Sequence, residues 1–480
     1  MSATIVQTQY GQLQGERERG VFAWRGVPYA RAPVGPLRFK PPQPPESWSG
    51  VKEAKQYAPR AMQPLLWGNQ AAPEGYSEDC LYLNIWSPAS DHRKRPVMVW
   101  IHGGFFTVGS GADPRYNGAA LSELNDVVVV TMNYRLGPFG FMQLRHIGGE
   151  EYAASGNCGM LDQVAALKWV KENIAAFGGD PDCVTIFGQS AGGRSVGLLL
   201  SMPAARGLFH RAIVHSGGIR TIGTSDNAGK LAEALLDKLG IASRNLSALH
   251  RVPAEAILEA APKPQAGNGM EPNIDGEFVP CLPLEAFAAG HAANIPIMVG
   301  YTLHDFTRTF DPHWANMREE EILQYFRKKI GSVWEDVSPY YLQQQGEDIL
   351  DKLIALLIRN EFTAPATRLV ELQAAHGTDA WLFRYDHPDP KSGLATHGSE
   401  LPYIFNTMDD PDGQPMAVQM YRTWAAFARH GNPNNQEIPK WPAYDLQQRP
   451  TMVFNRTSRL EYDLDRDIRI IWEKALQQYE

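Results

Sequence analysis

Cysteine is scarce in this chain, and the few present form no pattern. Cys80, Cys158, Cys183 and Cys281 are four residues in 480, far apart and without the paired spacing of a zinc site. A long hydrophobic run is also missing: no stretch approaches the ~20 apolar residues that a membrane-spanning helix needs. Basic clusters are nearly absent. The short "HRKR" at His92–Arg95 reads as a solvated loop, and a formal net charge of −8 disfavours a nucleic-acid surface. The opening "MSATIVQTQYGQLQGERERG" has neither the basic start nor the apolar core of a secretory signal. The expectation is therefore a cytoplasmic protein with reduced thiols. No internal repeat or low-complexity tract stands out. At 44% hydrophobic residues the chain can bury a large core, as globular enzymes do.

The first ~90 residues are rich in proline and turns, and the middle then alternates two patterns. "PVMVWI" (Pro96–Ile101) and "VVVVTMNY" (Val127–Tyr134) are continuous apolar runs, as expected of strands covered on both faces. "MLDQVAALKWVKENIAAF" (Met160–Phe177) has helical spacing and stops at Gly178-Gly179. "CVTIF" (Cys183–Phe187), "RAIVHSGG" (Arg211–Gly218) and "PIMVGY" (Pro296–Tyr301) continue the series. Such alternation predicts an α/β fold with a mostly parallel sheet flanked by helices. From about Asp305 onward the pattern is largely helical and predicts a cap over a pocket. With no clear linker, residues 1–480 read as one catalytic domain, with residues 1–90 as an N-terminal elaboration and roughly 305–480 as cap and C-terminal region.

Between the strand-like "CVTIF" and the helix-like "SVGLLLSM" lies "FGQSAGG", Phe187–Gly193. A Gly-x-Ser-x-Gly match alone recurs by chance, but a strand before it and a helix after it make Gly188-Gln189-Ser190-Ala191-Gly192 a nucleophile elbow. A serine hydroxyl is a poor nucleophile near neutral pH. It needs a base, an acid to orient that base, and N–H donors for the oxyanion. "WIHGGFFTVGSG" (Trp100–Gly111) puts a His-Gly-Gly turn directly after a strand, the oxyanion-loop pattern of esterases and lipases. His102, inside that turn, reads as structural.

Taken together with "RGVPYARAPVGPLRFKPPQP", "SEDCLYLNIWSP", "NYRLGPFGF", the run from Gly156 to Gly193 and "HGSELPYIFN", these motifs resemble the type-B carboxylesterases in the family's own order. That group includes bacterial para-nitrobenzyl esterases and the cholinesterases. The resemblance implies an α/β-hydrolase fold and no metal or organic cofactor. It also implies Ser190 as nucleophile, Asp305 as acid and His397 as base, with the backbone N–H groups of Gly104, Phe105 and Ala191 as oxyanion donors. His304, beside the acid, is a competing base by sequence alone. Glu78, Asp79 and Asp162 read as buried hydrogen-bonding residues, and Glu400 as structural. Trp67, Phe106, Phe306 and Phe310, together with Gln189, are the candidate substrate-binding residues.

Three departures from the family pattern carry expectations. Asp305 replaces the usual glutamate and is one methylene shorter, so the backbone or His397 must shift to keep contact. Gln189 replaces a glutamate beside the serine, which weakens attraction for cationic esters. Phe105 replaces a glycine or alanine, and its ring should disfavour bulky tertiary-alcohol esters. The family's disulfide near Cys80 has no upstream partner. The implied activity is hydrolysis of neutral short- to medium-chain or aromatic esters by a monomer or weak oligomer, with a small-molecule ester as the only partner. The same triad would serve amides, carbamates or thioesters, and a non-catalytic binding protein of this fold is the rival from another class.

Overall fold

The computed structural model describes residues 4–65, 72–219, 222–262, 270–311, 313–346 and 348–477. Its central feature is one sheet of eleven strands. In chain order these are β1 (Glu16–Glu18), β2 (Val21–Pro28), β3 (Tyr82–Ser87), β4 (Arg95–Ile101), β5 (Val128–Met132), β6 (Gly179–Gln189), β7 (Arg211–His215), β8 (Ile297–Thr302), β9 (Ala380–Tyr385), β10 (Pro450–Phe454) and β11 (Arg459–Tyr462). The spatial order is β11-β10-β9-β8-β7-β6-β4-β5-β3-β2-β1. Pairing is parallel from β5 through β4, β6, β7, β8 and β9 to β10. It is antiparallel at both margins.

The apolar runs form the middle of this sheet because both faces are covered. Every residue of β4, β5 and β8 is buried. Side chains alternate between two cores, as strand geometry requires. Val97, Val99 and Ile101 of β4 enter one core and Met98 and Trp100 the other; β8 divides Ile297 and Val299 from Met298 in the same way.

Helices fill both layers. The Met160 pattern becomes α1 (Cys158–Asn173), which tightens into a 3₁₀ turn through Phe177 and ends at Gly178 with φ 82°. The residues after the serine form α2 (Ala191–Ser201). Beyond Asp305 come α3 (Glu319–Ile330), α4 (Trp334–Leu342), α5 (Ile349–Ile358), α6 (Ala364–Ala375), α7 (Leu401–Phe405), α8 (Gln414–His430) and α9 (Arg466–Gln477). The C-terminal region is more than a cap, because β9, β10 and β11 extend the central sheet from within it. The first ninety residues likewise supply β1, β2 and β3. Of the three acidic residues read as buried hydrogen-bonding groups, Asp162 is buried, while Glu78 and Asp79 are only half-buried, near the surface. Asp162 forms a two-pronged pair with Arg135 at 2.7 and 2.8 Å, both side chains nearly inaccessible. Glu78 pairs with Arg38, and the Asp79 N–H donates to the Ser77 hydroxyl.

Candidate active site

Ser190 follows β6 directly and has φ 60° and ψ −126°, a conformation that a residue with a side chain adopts only under constraint, at about 1–3 kcal/mol. The surroundings supply that constraint. The Ser190 N–H donates to the His215 carbonyl at the end of β7 (2.9 Å), and its carbonyl accepts from the Arg194 N–H (2.8 Å). Close approach requires glycine on both sides. A Cβ at Gly192 would lie 2.0 Å from the Ile101 carbonyl oxygen, and one at Gly103 would lie 3.0 Å from the Ser190 Cβ. The elbow therefore rests on the end of β4, and the His-Gly-Gly turn packs directly against the serine.

That turn is itself strained. Gly104, Phe105 and Phe106 have φ of 113°, 56° and 56° in succession. The Gly104 carbonyl accepts from the N–H groups of Thr107 (3.0 Å) and Val108 (2.9 Å). Gln63 braces the far end, donating to the Gly109 carbonyl and accepting from the Gly109 N–H, both at 2.9 Å. His102 is a structural member: its ring is buried and stacks on Tyr134 at 4.4 Å, and burial pushes its imidazole down to about 4.

Asp305, 1% exposed, lies three residues beyond the end of β8. Its Oδ2 accepts from the Thr302 N–H and the Ser216 hydroxyl, both at 3.0 Å, and its Oδ1 is 2.7 Å from Nδ1 of His397. Backbone pairing explains the meeting. His304 and Thr396 form a parallel bridge, and the His304 N–H donates to the Ala395 carbonyl at 2.9 Å. The next residue on each strand is then brought alongside the other. The shorter aspartate thus reaches the imidazole at full hydrogen-bond distance. His304 itself spends its backbone on this bridge, and burial lowers its imidazole from its ordinary value. With Nδ1 of His397 facing a carboxylate, Nε2 is the nitrogen left for proton transfer.

Aromatic rings join the Gly104–Phe106 turn to this histidine. Phe105 stands 6.0 Å from Phe310, Phe310 4.4 Å from Phe306, Phe306 5.0 Å from Phe362 and Phe362 5.4 Å from the His397 ring. Phe306 and Phe310 thus sit in a continuous chain of rings between that turn and the histidine. Phe106 does not: it is buried and packs edge-on against Phe141 at 5.3 Å, because the turn sends successive side chains to different sides. Gln189, 5% exposed, has its carboxamide beside Gly398, where a Cβ would meet it at 3.6 Å. Trp67 lies outside the described residues.

Ser216, Phe362, Gln63 and His215 were not singled out from sequence. Ser216 was hidden inside the predicted strand "RAIVHSGG"; in the structure that strand stops at His215 and Ser216 takes φ 43°, a backbone that non-glycine residues seldom adopt. Phe362 was not legible, because it sits in a π-helical turn, Arg359–Thr363, that no periodicity announces. Among the described residues, no group of three or more His, Cys, Asp or Glu side chains is arranged to hold a metal ion, and no helix is long and apolar enough to cross a membrane.

Comparison with known proteins places the whole chain in one family. The model of the carboxylesterase family matches residues 2–468. Para-nitrobenzyl esterase of Bacillus subtilis is 40% identical, over 96% of this chain and 97% of its own length. Human cocaine esterase is 33% identical over 99% and 92%. A Geobacillus stearothermophilus carboxylesterase structure superposes with a TM-score of 0.92 at 42% identity, covering 98% of this chain and all of that one. The chain belongs to the carboxylesterase family and is a carboxylic ester hydrolase of the α/β-hydrolase fold.

Proposed function

We propose that Ser190, His397 and Asp305 act as nucleophile, base and acid in hydrolysis of neutral short- to medium-chain or aromatic esters. The observation that carries the reading is the 2.7 Å contact between Asp305 and Nδ1 of His397. It holds the imidazole on the same loop system as a serine kept in a strained elbow. His397 Nε2 takes the Ser190 proton as the oxygen attacks the ester carbonyl. The backbone N–H groups of Gly104, Phe105 and Ala191 receive the oxyanion, each such donor contributing about 3–4 kcal/mol. The imidazolium, held by Asp305, then protonates the leaving alcohol. Water repeats the cycle on the acyl-enzyme with the roles reversed. The aromatic lining favours apolar and aromatic groups, and a relative named for a para-nitrobenzyl ester supports the same class. Gln189 brings no negative charge that would attract a cationic alcohol. The whole chain serves as one catalytic unit, since nucleophile, acid and base come from loops of a single sheet. Free cysteines among the described residues fit a reducing compartment such as the cytoplasm.

The test is a para-nitrophenyl ester series from acetate to palmitate, with Ser190→Ala alongside. Activity should peak at short or medium acyl length and fall by at least about 10³-fold in the variant, as loss of a triad member does. A Ser190→Ala enzyme with near wild-type turnover would overturn the assignment.

A further inference from the structure

The dipeptide His215-Ser216 closes β7, between the strand that ends in the serine and the strand that leads to the acid. Its backbone and side chains reach every part of the triad. The His215 carbonyl accepts the Ser190 N–H at 2.9 Å, and the Ser216 N–H donates to the Gly300 carbonyl of β8 at 2.8 Å. The Ser216 hydroxyl donates to Asp305 at 3.0 Å. The third member is approached through the His215 ring, whose Nδ1 is 3.3 Å from Oε1 of Glu400, three residues past His397. Both side chains are only 1% exposed.

The ring's own tautomer is set by a fourth partner. The Trp424 indole N–H on α8 points at Nε2 of His215 at 3.0 Å. An indole nitrogen can only donate, so Nε2 must carry the lone pair and Nδ1 the proton. Glu400 Oε1 lies 3.3 Å from that nitrogen but out of line for a hydrogen bond, and neither atom has a hydrogen-bond partner among the described residues. The ring is further wedged between Phe383 and Trp424, at centroid distances of 5.4 and 5.3 Å. A buried imidazole with its tautomer set by a tryptophan and its other nitrogen 3.3 Å from a buried carboxyl group is a costly arrangement unless it orders something. What it joins is the serine's backbone anchor and the loop that carries the base.

We infer that His215 is a positioning residue: through Glu400 it sets the loop bearing His397 against the strained elbow of Ser190. It touches neither substrate nor reacting atoms. The inference rests on the triad assignment above and adds to it a fourth, buried side chain that the reaction depends on through geometry alone. Displacement of a catalytic group by about 1 Å costs up to about 10²-fold in rate, so loss of the link should appear in kcat rather than in KM.

The experiment uses full-length enzyme and para-nitrophenyl butyrate, with competent sites counted by a fluorophosphonate. His215→Leu removes the hydrogen bond from Trp424 and the polar contact with Glu400. His215→Gln restores a group that can accept from Trp424 and donate to Glu400. The expected result is a fall in kcat per titrated site of about 10-fold or more in His215→Leu, within that displacement range, at a KM changed less than about twofold. His215→Gln should recover most of the loss. The inference is overturned if His215→Leu keeps wild-type kcat per site while merely melting earlier, or if His215→Gln is no better than His215→Leu. Should His215→Leu fail to fold, Trp424→Phe takes its place: it releases the tautomer but keeps the ring, and an unchanged kcat overturns the inference equally. Ser190→Ala, run beside them, separates the two readings, because residual activity there would sink the triad assignment whatever His215 does.

Discussion

Phe105 is the residue where shape and chemistry conflict most openly. Its N–H belongs to the turn proposed to receive the oxyanion, yet its ring is half-buried and 6.0 Å from Phe310. It also holds φ at 56°, where a Cβ is unwelcome. A family position usually given to glycine or alanine thus carries both a strained backbone and a large side chain, which indicates that the ring excludes something. The excluded group should be the bulky half of a tertiary-alcohol ester. Phe105→Ala should raise kcat/KM for a tert-butyl ester relative to the n-butyl ester by about 10-fold or more, in the range that pocket-filling groups discriminate. Parallel progress curves on the two acetates measure it, and an unchanged ratio would show that the ring does not guard the site.

At the level of elements, the decisive irregularity is the five-residue π-helical turn between α5 and α6. Its cause lies in Pro365, which has no N–H and whose ring would collide with the carbonyl four residues earlier, that of Glu361. The chain answers by widening the turn, and the Ala364 N–H bonds back to the Arg359 carbonyl. The extra residue turns Phe362 onto His397, at 5.4 Å between ring centres. Pro365→Ala supplies the missing N–H and permits an ordinary α-turn, which would rotate Phe362 away from the histidine. The expected effect is a loss of about fivefold or more in kcat/KM for aromatic esters, a ring contact of this kind being worth about 0.5–1.5 kcal/mol, with no loss of melting temperature. If kcat/KM stays within twofold, the turn is a packing accommodation with no bearing on the reaction.

The same turn marks where sequence reasoning stops. Strands buried on both faces announce themselves as apolar runs, so β4, β5 and β8 were readable to within one or two residues, whereas β6 starts four residues before its apolar run and β7 stops three residues before the end of the stretch assigned to it. The elbow was readable because glycines on both sides of a serine have few other uses between a strand and a helix. Asp305 and His397 were a different matter. They are 92 residues apart, and no local rule joins them; the bridge between His304 and Thr396 that brings them together exists only in three dimensions. For these two the resemblance to a family stood in for a physical argument. The apolar run "AWLFRY" of β9 was passed over because helical patterns surround it, and Phe106 was misread as wall because a turn with successive positive φ values sends neighbouring rings in opposite directions.

For the molecule as a whole, burial has made several histidines reluctant to ionise. Desolvation holds His102 at about 4 and lowers His210, His304 and His387 from their ordinary value. An unfolded histidine titrates near 6.5. Below that pH the unfolded chain binds protons that the folded chain refuses, so stability is complete above about pH 6.5 and falls as the pH drops toward 4. His102 alone accounts for roughly 3 kcal/mol across that window. Carboxylates held low by basic partners, such as Asp113 beside Arg115 and Asp463 beside Arg469, act in the same direction but only below about pH 4, where unfolded carboxylates protonate. Glu371, raised by burial, acts in the opposite direction, above the pH where an unfolded glutamate protonates. Urea unfolding at pH 7.5, 6.0 and 5.0 should therefore show stability declining through the histidine range, with a shallower decline in His102→Gln. A wild-type stability that stays flat down to pH 4.5 would mean that the His102–Phe106 turn opens to water, and the rigid turn on which the proposed chemistry depends would have to be given up.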